Sequence, residues 1–382
     1  VTSTSMPQKD TKLDVLCTKL RVLATELGPD VQLPNVRALC QMLGTTRVTL
    51  AEAMHVLEEQ HVLYSVGRKG TFVSPKINHT FIHIIFDNSF INNTPVTLFW
   101  NMLWNYFSKE VQRRAETRLE TCTFQLILPS PQTDKALPDE TMQLVSSNRF
   151  DGLLVVGLNI YSEDWIKHQP LPSVVFAGAG NQMVGLDNQE MLHLGVQSLY
   201  QQGCRKIGLW VPLYDDLSSS PLEEMPDVQF FCKELDTYQL PIYRELIRRP
   251  HVELRQESYR LLNNNQERGY KLAREVFRPE NLDRPDGLLI TEDLLTSGAL
   301  IALQEAGVYP GKDIKIATHS NAGSPLLFGY EKTLTMIEFD PMEIVQTMFS
   351  TLDMLIAGQQ PPQSLILVPP RIHEPERNTI RS

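Results

Sequence analysis

Two short polar stretches near the amino end carry the most specific chemistry in this 382-residue chain. Thr45-Thr46-Arg47-Val48-Thr49 gathers three hydroxyls around one guanidinium at the start of a helix-patterned run. Gly67-Arg68-Lys69-Gly70 sets two cations between two glycines in a tight turn. Neither grouping does covalent work. An arginine can fork onto a base edge or a phosphate, a lysine or hydroxyl can hold a phosphate oxygen, and glycine lets backbone come close. Further along, Asp293 follows an apolar run and precedes a helical one, where a carboxylate would face a cleft. Its simplest alternative role is to cap a helix beginning at Leu294. Asn159 and Asp87 likewise follow strand-like runs. Catalytic constellations are missing from the sequence: there is no G-x-S-x-G, P-loop, H-E-x-x-H or G-x-G-x-x-G. The nine histidines lack metal-ligand spacing, and the five cysteines (17, 40, 122, 204 and 232) include no C-x-x-C. No catalysis, cofactor or metal is expected, and the cysteines suit small buried positions in a reducing cytoplasm.

The elements that must hold these groups follow from hydrophobic periodicity. Leu13, Leu16, Leu20, Leu23 and Leu27 form one helical face that Gly28-Pro29 ends. A short helix with Val36, Leu39 and Leu43 inward closes at Gly44, and Thr45 or Thr46 caps the next, whose apolar set is Val48, Leu50, Ala53, Met54 and Leu57. HVLYSVGRKGTFVSP then reads as a hairpin. Three short helices and a hairpin make a winged helix-turn-helix, with the third helix placed to read a major groove. After Pro75, strand-like runs (81–87, 123–129, 151–157, 172–178, 205–212, 285–293, 313–320) alternate with helical ones (97–116, 139–148, 188–203, 266–277, 294–307). That alternation predicts an α/β body of two lobes with doubly wound parallel sheets and a cleft at the carboxyl ends of the strands. The expected division is 1–77 and 78–382. Net charge is −10, yet residues 1–77 hold nine Lys/Arg against seven Asp/Glu, so the acidity lies in the body. No run approaches the ~18 apolar residues that span a bilayer, and no amino-terminal apolar core marks a secretory signal.

The head resembles the GntR family of bacterial regulators in Leu33-Pro34-Asn35-Val36-Arg37-Ala38-Leu39, Leu43-Gly44-Thr45-Thr46-Arg47-Val48-Thr49-Leu50, Ala53-Met54-His55-Val56-Leu57 and Gly67-Arg68-Lys69-Gly70-Thr71-Phe72-Val73. The resemblance implies DNA contacts from Arg37 and Arg47. It adds Thr46 and Thr49, with Thr45 beside them, and the wing residues Arg68, Lys69 and Gly70. One departure stands out: Ala51 occupies the place of a second arginine that the family often has.

The body resembles the LacI-type effector domain, itself similar to periplasmic sugar-binding proteins. The carriers are Phe150-Asp151-Gly152-Leu153-Leu154, Gly185-Leu186-Asp187-Asn188, Gln202-Gly203-Cys204-Arg205-Lys206-Ile207-Gly208, Pro285-Asp286-Gly287-Leu288-Leu289 and Ala302-Leu303-Gln304-Glu305-Ala306-Gly307. By resemblance Phe99 and Trp100 line a ligand pocket, although core packing with Leu103, Trp104 and Phe107 is the plainer reading. Asp293 would accept hydrogen bonds from ligand hydroxyls, and Asn159, Asp227 and Asn321 complete the candidate set. Two departures alter that pocket. Asp227 stands where the family has an arginine, once its Gly-aromatic pair is aligned with Phe230-Phe231. Thr318-His319-Ser320-Asn321 replaces a strand end that usually reads Gly-x-Asp. The implied protein is a homodimeric repressor of transcription binding a near-palindromic double-stranded DNA operator. Its effector would be a sugar, a polyol or another small polar molecule, neutral or cationic. The competing reading is a DNA-binding dimer whose body no longer senses a ligand. A short junction at Ser74–His79, containing Pro75, would couple head to body.

Overall fold

A computed structural model describes residues 12–77, 79–87, 98–127, 137–146, 149–157, 163–212, 221–250 and 264–375. The leucine stripe at the amino end forms helix α1 (Lys12–Leu27), which buries Leu16, Leu20 and Ala24. Helices α2 (Val36–Leu43) and α3 (Arg47–Glu59) follow. The Asn35 side chain starts α2 by accepting a hydrogen bond from the Ala38 N–H at 3.0 Å. Gly44 ends it in the left-handed conformation, φ 64°. Strands β1 (Leu63–Val66) and β2 (Gly70–Val73) pair antiparallel with Val66 opposite Gly70. The segment before α2 lends this hairpin a third edge: Leu33 N–H donates to Thr71 and Val73 N–H donates to Val31. Leu20, Leu39, Leu50, Leu57, Leu63 and Val73 close one small core.

The first lobe of the body begins with β3 (Thr80–Asp87), α4 (Leu98–Thr117), β4 (Glu120–Ile127), α5 (Asp139–Ser146), β5 (Gly152–Val156), α6 (Glu163–Lys167), β6 (Ser173–Phe176) and β7 (Met183–Leu186). The second holds α7 (Asn188–Gln201), β8 (Ile207–Trp210), α8 (Pro226–Thr237), β9 (Ile247–Arg248), α9 (Asn265–Val276), β10 (Gly287–Ile290), α10 (Asp293–Glu305), β11 (Lys315–Asn321) and β12 (Thr335–Phe339). The chain then returns with α11 (Pro341–Ile356) and β13 (Leu365–Val368) to the first lobe, and β14 (Arg371–His373) ends in the second. The sheets are ordered β13-β7-β6-β5-β3-β4 and β14-β12-β11-β10-β8-β9. Every pairing in the body is parallel except that of β14 with β12.

Both faces of each sheet are covered, as the continuous apolar strands require. Ile82, Ile84 and Phe86 of β3 face α4 and α11, while Ile85 faces the core over α5 and α6. Leu289 of β10 faces α7 and α8, while Leu288 and Ile290 face α9 and α10. Two glycines let α9 and α10 touch backbone to backbone. A Cβ on Gly298 would stand 1.7 Å from the Gln266 carbonyl oxygen, and one on Gly269 would stand 2.0 Å from that of Leu295.

The chain crosses between lobes at Asp187, at Asp340 and at Pro369-Pro370. These crossings are tied together. Asp187 N–H donates to the Val368 carbonyl at 3.0 Å, and Arg371 pairs with Glu343 at 3.0 Å. No element beyond residue 320 is expected from periodicity, yet β12, α11, β13 and β14 lie there. The return of α11 to the first lobe has no local signal, because a helix fits either sheet and topology chooses.

Candidate functional site

In the head, Thr46 rather than Thr45 starts α3. Its hydroxyl accepts from the Thr49 N–H at 3.3 Å and lies 3.0 Å from the Thr49 hydroxyl. This capping leaves Arg47 and Val48 exposed on the first turn, Val48 at 70%. Arg37 is exposed on the first turn of α2. The side chains of Arg37, Arg47, Arg68 and Lys69 make no hydrogen bond or ion pair among the described residues.

The wing turn differs in one respect from its glycine-based reading. Lys69 N–H donates to the Val66 carbonyl, closing a four-residue turn, and the left-handed residue within it is Arg68 (φ 64°), not Gly67. Turns of this kind usually put glycine there, and a side chain costs about 1 kcal/mol. The turn thus holds its cation at the tip against local backbone preference. Gly70 (φ 118°) is needed for its own conformation and for the close pass of Gln32, whose Nε2 donates to the Lys69 carbonyl at 2.6 Å.

In the body, parallel topology collects the helix amino ends at the carboxyl edge of each sheet. Phe99 and Trp100 open α4 at that edge of the first lobe, half-buried. Their rings meet edge-on at 5.2 Å and lie 6.1 and 6.2 Å from Phe176, which ends β6. Both pack onto the core of the first lobe, as the plainer reading has it. Across from them, the Met102 methyl of α4 lies 3.7 Å from where a Cβ on Gly323 of the second lobe would be.

Asp293 and Asn321 come together on the second lobe: Asn321 Nδ2 donates to Asp293 Oδ2 at 2.9 Å, with both residues buried. They wall a cavity of about 150 Å³ with Ser320, Ser324, Leu327, Glu331, Met336 and Glu338. The helix cap lies one residue earlier than expected. Glu292 Oε2 accepts from the Leu295 N–H at 2.6 Å, while Asp293 is the first residue of α10 and accepts from the Leu294 N–H at 2.9 Å. Burial, then the Asp293 charge, pushes the Glu292 carboxyl up to about 8.

Glu292 Oε1, His319 Nδ1, Ser320 Oγ and Asn321 Oδ1 are buried without partners among the described residues. Burial lowers the His319 pKa against the pull of Asp293, so its ring is held neutral. Asp227 opens α8 at the same sheet edge, half-buried, and burial raises its carboxyl pKa. Asn159 lies outside the described residues, as does the side chain of Asp87. Glu292, His319 and Ser320 were not expected as site residues. The replacement of Gly-x-Asp by Thr318-His319-Ser320 was the one signal that could have found the last two.

Comparison with known proteins bears on the domains and the fold. Residues 19–73 match the model of bacterial regulatory proteins of the gntR family, and residues 196–376 match that of the periplasmic binding protein-like domain. Over 135 residues the chain is 22% identical to the arabinose metabolism transcriptional repressor of Geobacillus stearothermophilus, covering 35% of this chain and 34% of that protein. The match therefore spans about a third of the relative's length. A LacI-family regulatory protein from Chloroflexus aggregans superposes with a TM-score of 0.58 at 18% identity, covering 76% of this chain and 96% of its own. A LacI-family regulator from Arthrobacter sp. FB24, solved in complex with lactose, superposes at 0.56 with 15% identity, covering 78% and 100%. At such identities the structural likeness speaks for the fold. The chain joins a winged helix-turn-helix head that matches the gntR family model to a two-lobed body with the periplasmic-binding-protein-like fold.

Proposed function

We propose that this chain is a ligand-responsive transcription regulator, acting as a repressor, with a head (1–77) that binds DNA and a body (78–382) that dimerises and takes a small polar effector. The single observation that carries the reading is the pairing of two unsatisfied surfaces. One is a helix start and wing tip whose cations have no protein partner. The other is a strand-edge cavity whose buried polar atoms have none either.

Arg47, at the start of α3, enters the major groove and reads a base edge, with Thr45, Thr46 and Thr49 beside it. Arg37, Arg68, Lys69 and the Gly70 backbone hold phosphates on either side. Two heads of a homodimer meet two half-sites of a near-palindromic operator. Phe99, Trp100, Asn159, Asp227, Asp293 and Asn321 face the effector, for which a sugar or polyol is the first class to test. The body performs no catalysis, and the protein works in the cytoplasm. Among the described residues, no helix is long and apolar enough to cross a membrane.

Closure of the lobes about the three crossings would alter the spacing of the heads. Ligand that weakens operator binding must then itself bind the DNA-bound form more weakly by the same factor.

The test is fluorescence anisotropy of the full chain on a duplex selected from a random pool, repeated across neutral sugars, polyols, sugar acids, nucleosides and amines. Tight duplex binding released by one class supports the regulator. Tight binding that no class changes supports the competing dimer with a silent body, which the rebuilt strand end at 318–321 favours. Absence of duplex binding overturns both.

A further inference from the structure

Resting on the effector reading above, we infer that the ligand of the second-lobe cavity carries an ammonium group, seated against Asp293, Ser320 and Asn321, rather than being a wholly neutral sugar. The first reason is hydrogen-bond direction. Asn321 Nδ2 donates to the Asp293 carboxylate at 2.9 Å, which fixes which way the amide faces, because the reverse would set oxygen against oxygen. Asn321 Oδ1 is therefore held out as an acceptor. It has no partner, and the residue is 2% exposed. Ser320 lines the same cavity, and its Oγ is also without a partner among the described residues, in a residue 5% exposed. Buried polar atoms left unsatisfied are rare and destabilising, so this pair marks where a ligand atom belongs. An amide oxygen and a carboxylate ask for hydrogens, which leaves hydroxyl or ammonium.

Charge separates those two. The cavity wall includes the carboxylates of Asp293, Glu331 and Glu338, and no lysine or arginine lines it among the described residues. Glu338 is 3.4 Å from His373 and Glu331 accepts from the Gly329 N–H, and neither pairs with a lysine or arginine among the described residues. The neutral ring of His319 supplies no positive charge from the sheet. A hydroxyl closing this cavity would strip water from carboxylates and return no opposite charge, whereas an ammonium satisfies the acceptors and neutralises the wall in one step. The geometry offers no group of three or more His, Cys, Asp or Glu side chains able to hold a metal ion among the described residues.

The experiment is a thermal-shift and calorimetric titration of the full chain with glucose, glucosamine, 1,4-diaminobutane, calcium and magnesium at matched ionic strength. An amine-bearing probe should raise the melting temperature where glucose does not. D293N and S320A should each weaken that probe at least tenfold while leaving the circular dichroism spectrum unchanged. Binding of glucose with both amines silent overturns the charge class and leaves the sensing body standing. Silence of every probe overturns both. An amine response that survives D293N and S320A reduces it to surface electrostatics and overturns the site. Stabilisation by a divalent ion that D293N abolishes reassigns the cavity to a metal and overturns the ammonium.

Discussion

The head and the second lobe meet their partners in opposite ways. The head presents cations that are already in water: the side chains of Arg37, Arg47, Arg68 and Lys69 are exposed and make no hydrogen bond or ion pair among the described residues. Its partner, in the proposed reading, is a polyanion whose phosphates are also in water, so little desolvation stands in the way. The second lobe presents acceptors that are already dry. Asn321 and Ser320 are buried with unpaired atoms, and Glu292 is buried with a carboxyl that resists ionising. An exposed surface can tolerate an imperfect partner, whereas a buried one cannot, because each unmatched atom there keeps its full desolvation penalty. Binding by the head should therefore be broad, salt-sensitive and built of many small contacts. Binding by the lobe should be narrow and depend on a few atoms.

The largest effect that would break the comparison is on the frame of the dry site. Gly298→Val would drive a side chain into the Gln266 backbone, and should destabilise the body by about 3 kcal/mol or more. In urea unfolding followed by circular dichroism, the body transition should move while a head transition stays. If the body transition holds its midpoint, the α9–α10 contact does not set the geometry of Asp293.

Next is Arg47→Ala. A base-edge contact is worth ~1–3 kcal/mol, so affinity for a selected duplex should fall by roughly five- to 150-fold with the melting temperature unchanged. Equal affinity would remove Arg47 from the interface.

Glu292→Gln tests the dry side through pH. The folded state holds this carboxyl near 8, well above the ~4.3 of an unfolded glutamate, so folding favours the protonated form between those values. The wild-type body should lose stability as pH rises from about 4.3 to about 8 and then level off. Glutamine avoids that loss, so the variant should melt higher at pH 8, and the gain should vanish near pH 4. Each kcal/mol regained is worth ~2–4 °C in a body of this size.

The smallest effect is at the wing. Arg68→Gly should relieve left-handed strain and stabilise the head by about 1 kcal/mol, while flattening the salt dependence of duplex binding by about one unit of slope. Stability and affinity moving the same way would show that Arg68 serves only the turn.

The helix-turn-helix, its wing and the alternation of strands and helices were legible because each rests on local rules. Leucine spacing set α1, Gly44 and Thr46 set the turn between α2 and α3, and continuous apolar runs at β5 and β10 marked buried parallel strands. The candidate cations were legible for the same reason, since a charged turn needs no distant partner to be recognised. Asp293 and Asn321 could be named separately but not joined.

What the sequence by itself determined was the alternation of strands and helices as far as residue 320, the class of each domain and the kinds of group each could offer. Tertiary structure alone decided that α11 returns to the first lobe, that three crossings are tied at Asp187, Val368 and Arg371, and that Asn321 leans on Asp293. Those outcomes depend on contacts between residues far apart in the chain. Only closed packing creates the burial that leaves Ser320 and Asn321 unsatisfied, lifts Glu292 and keeps His319 neutral. The residue types were present in the sequence, but the dielectric around them was not.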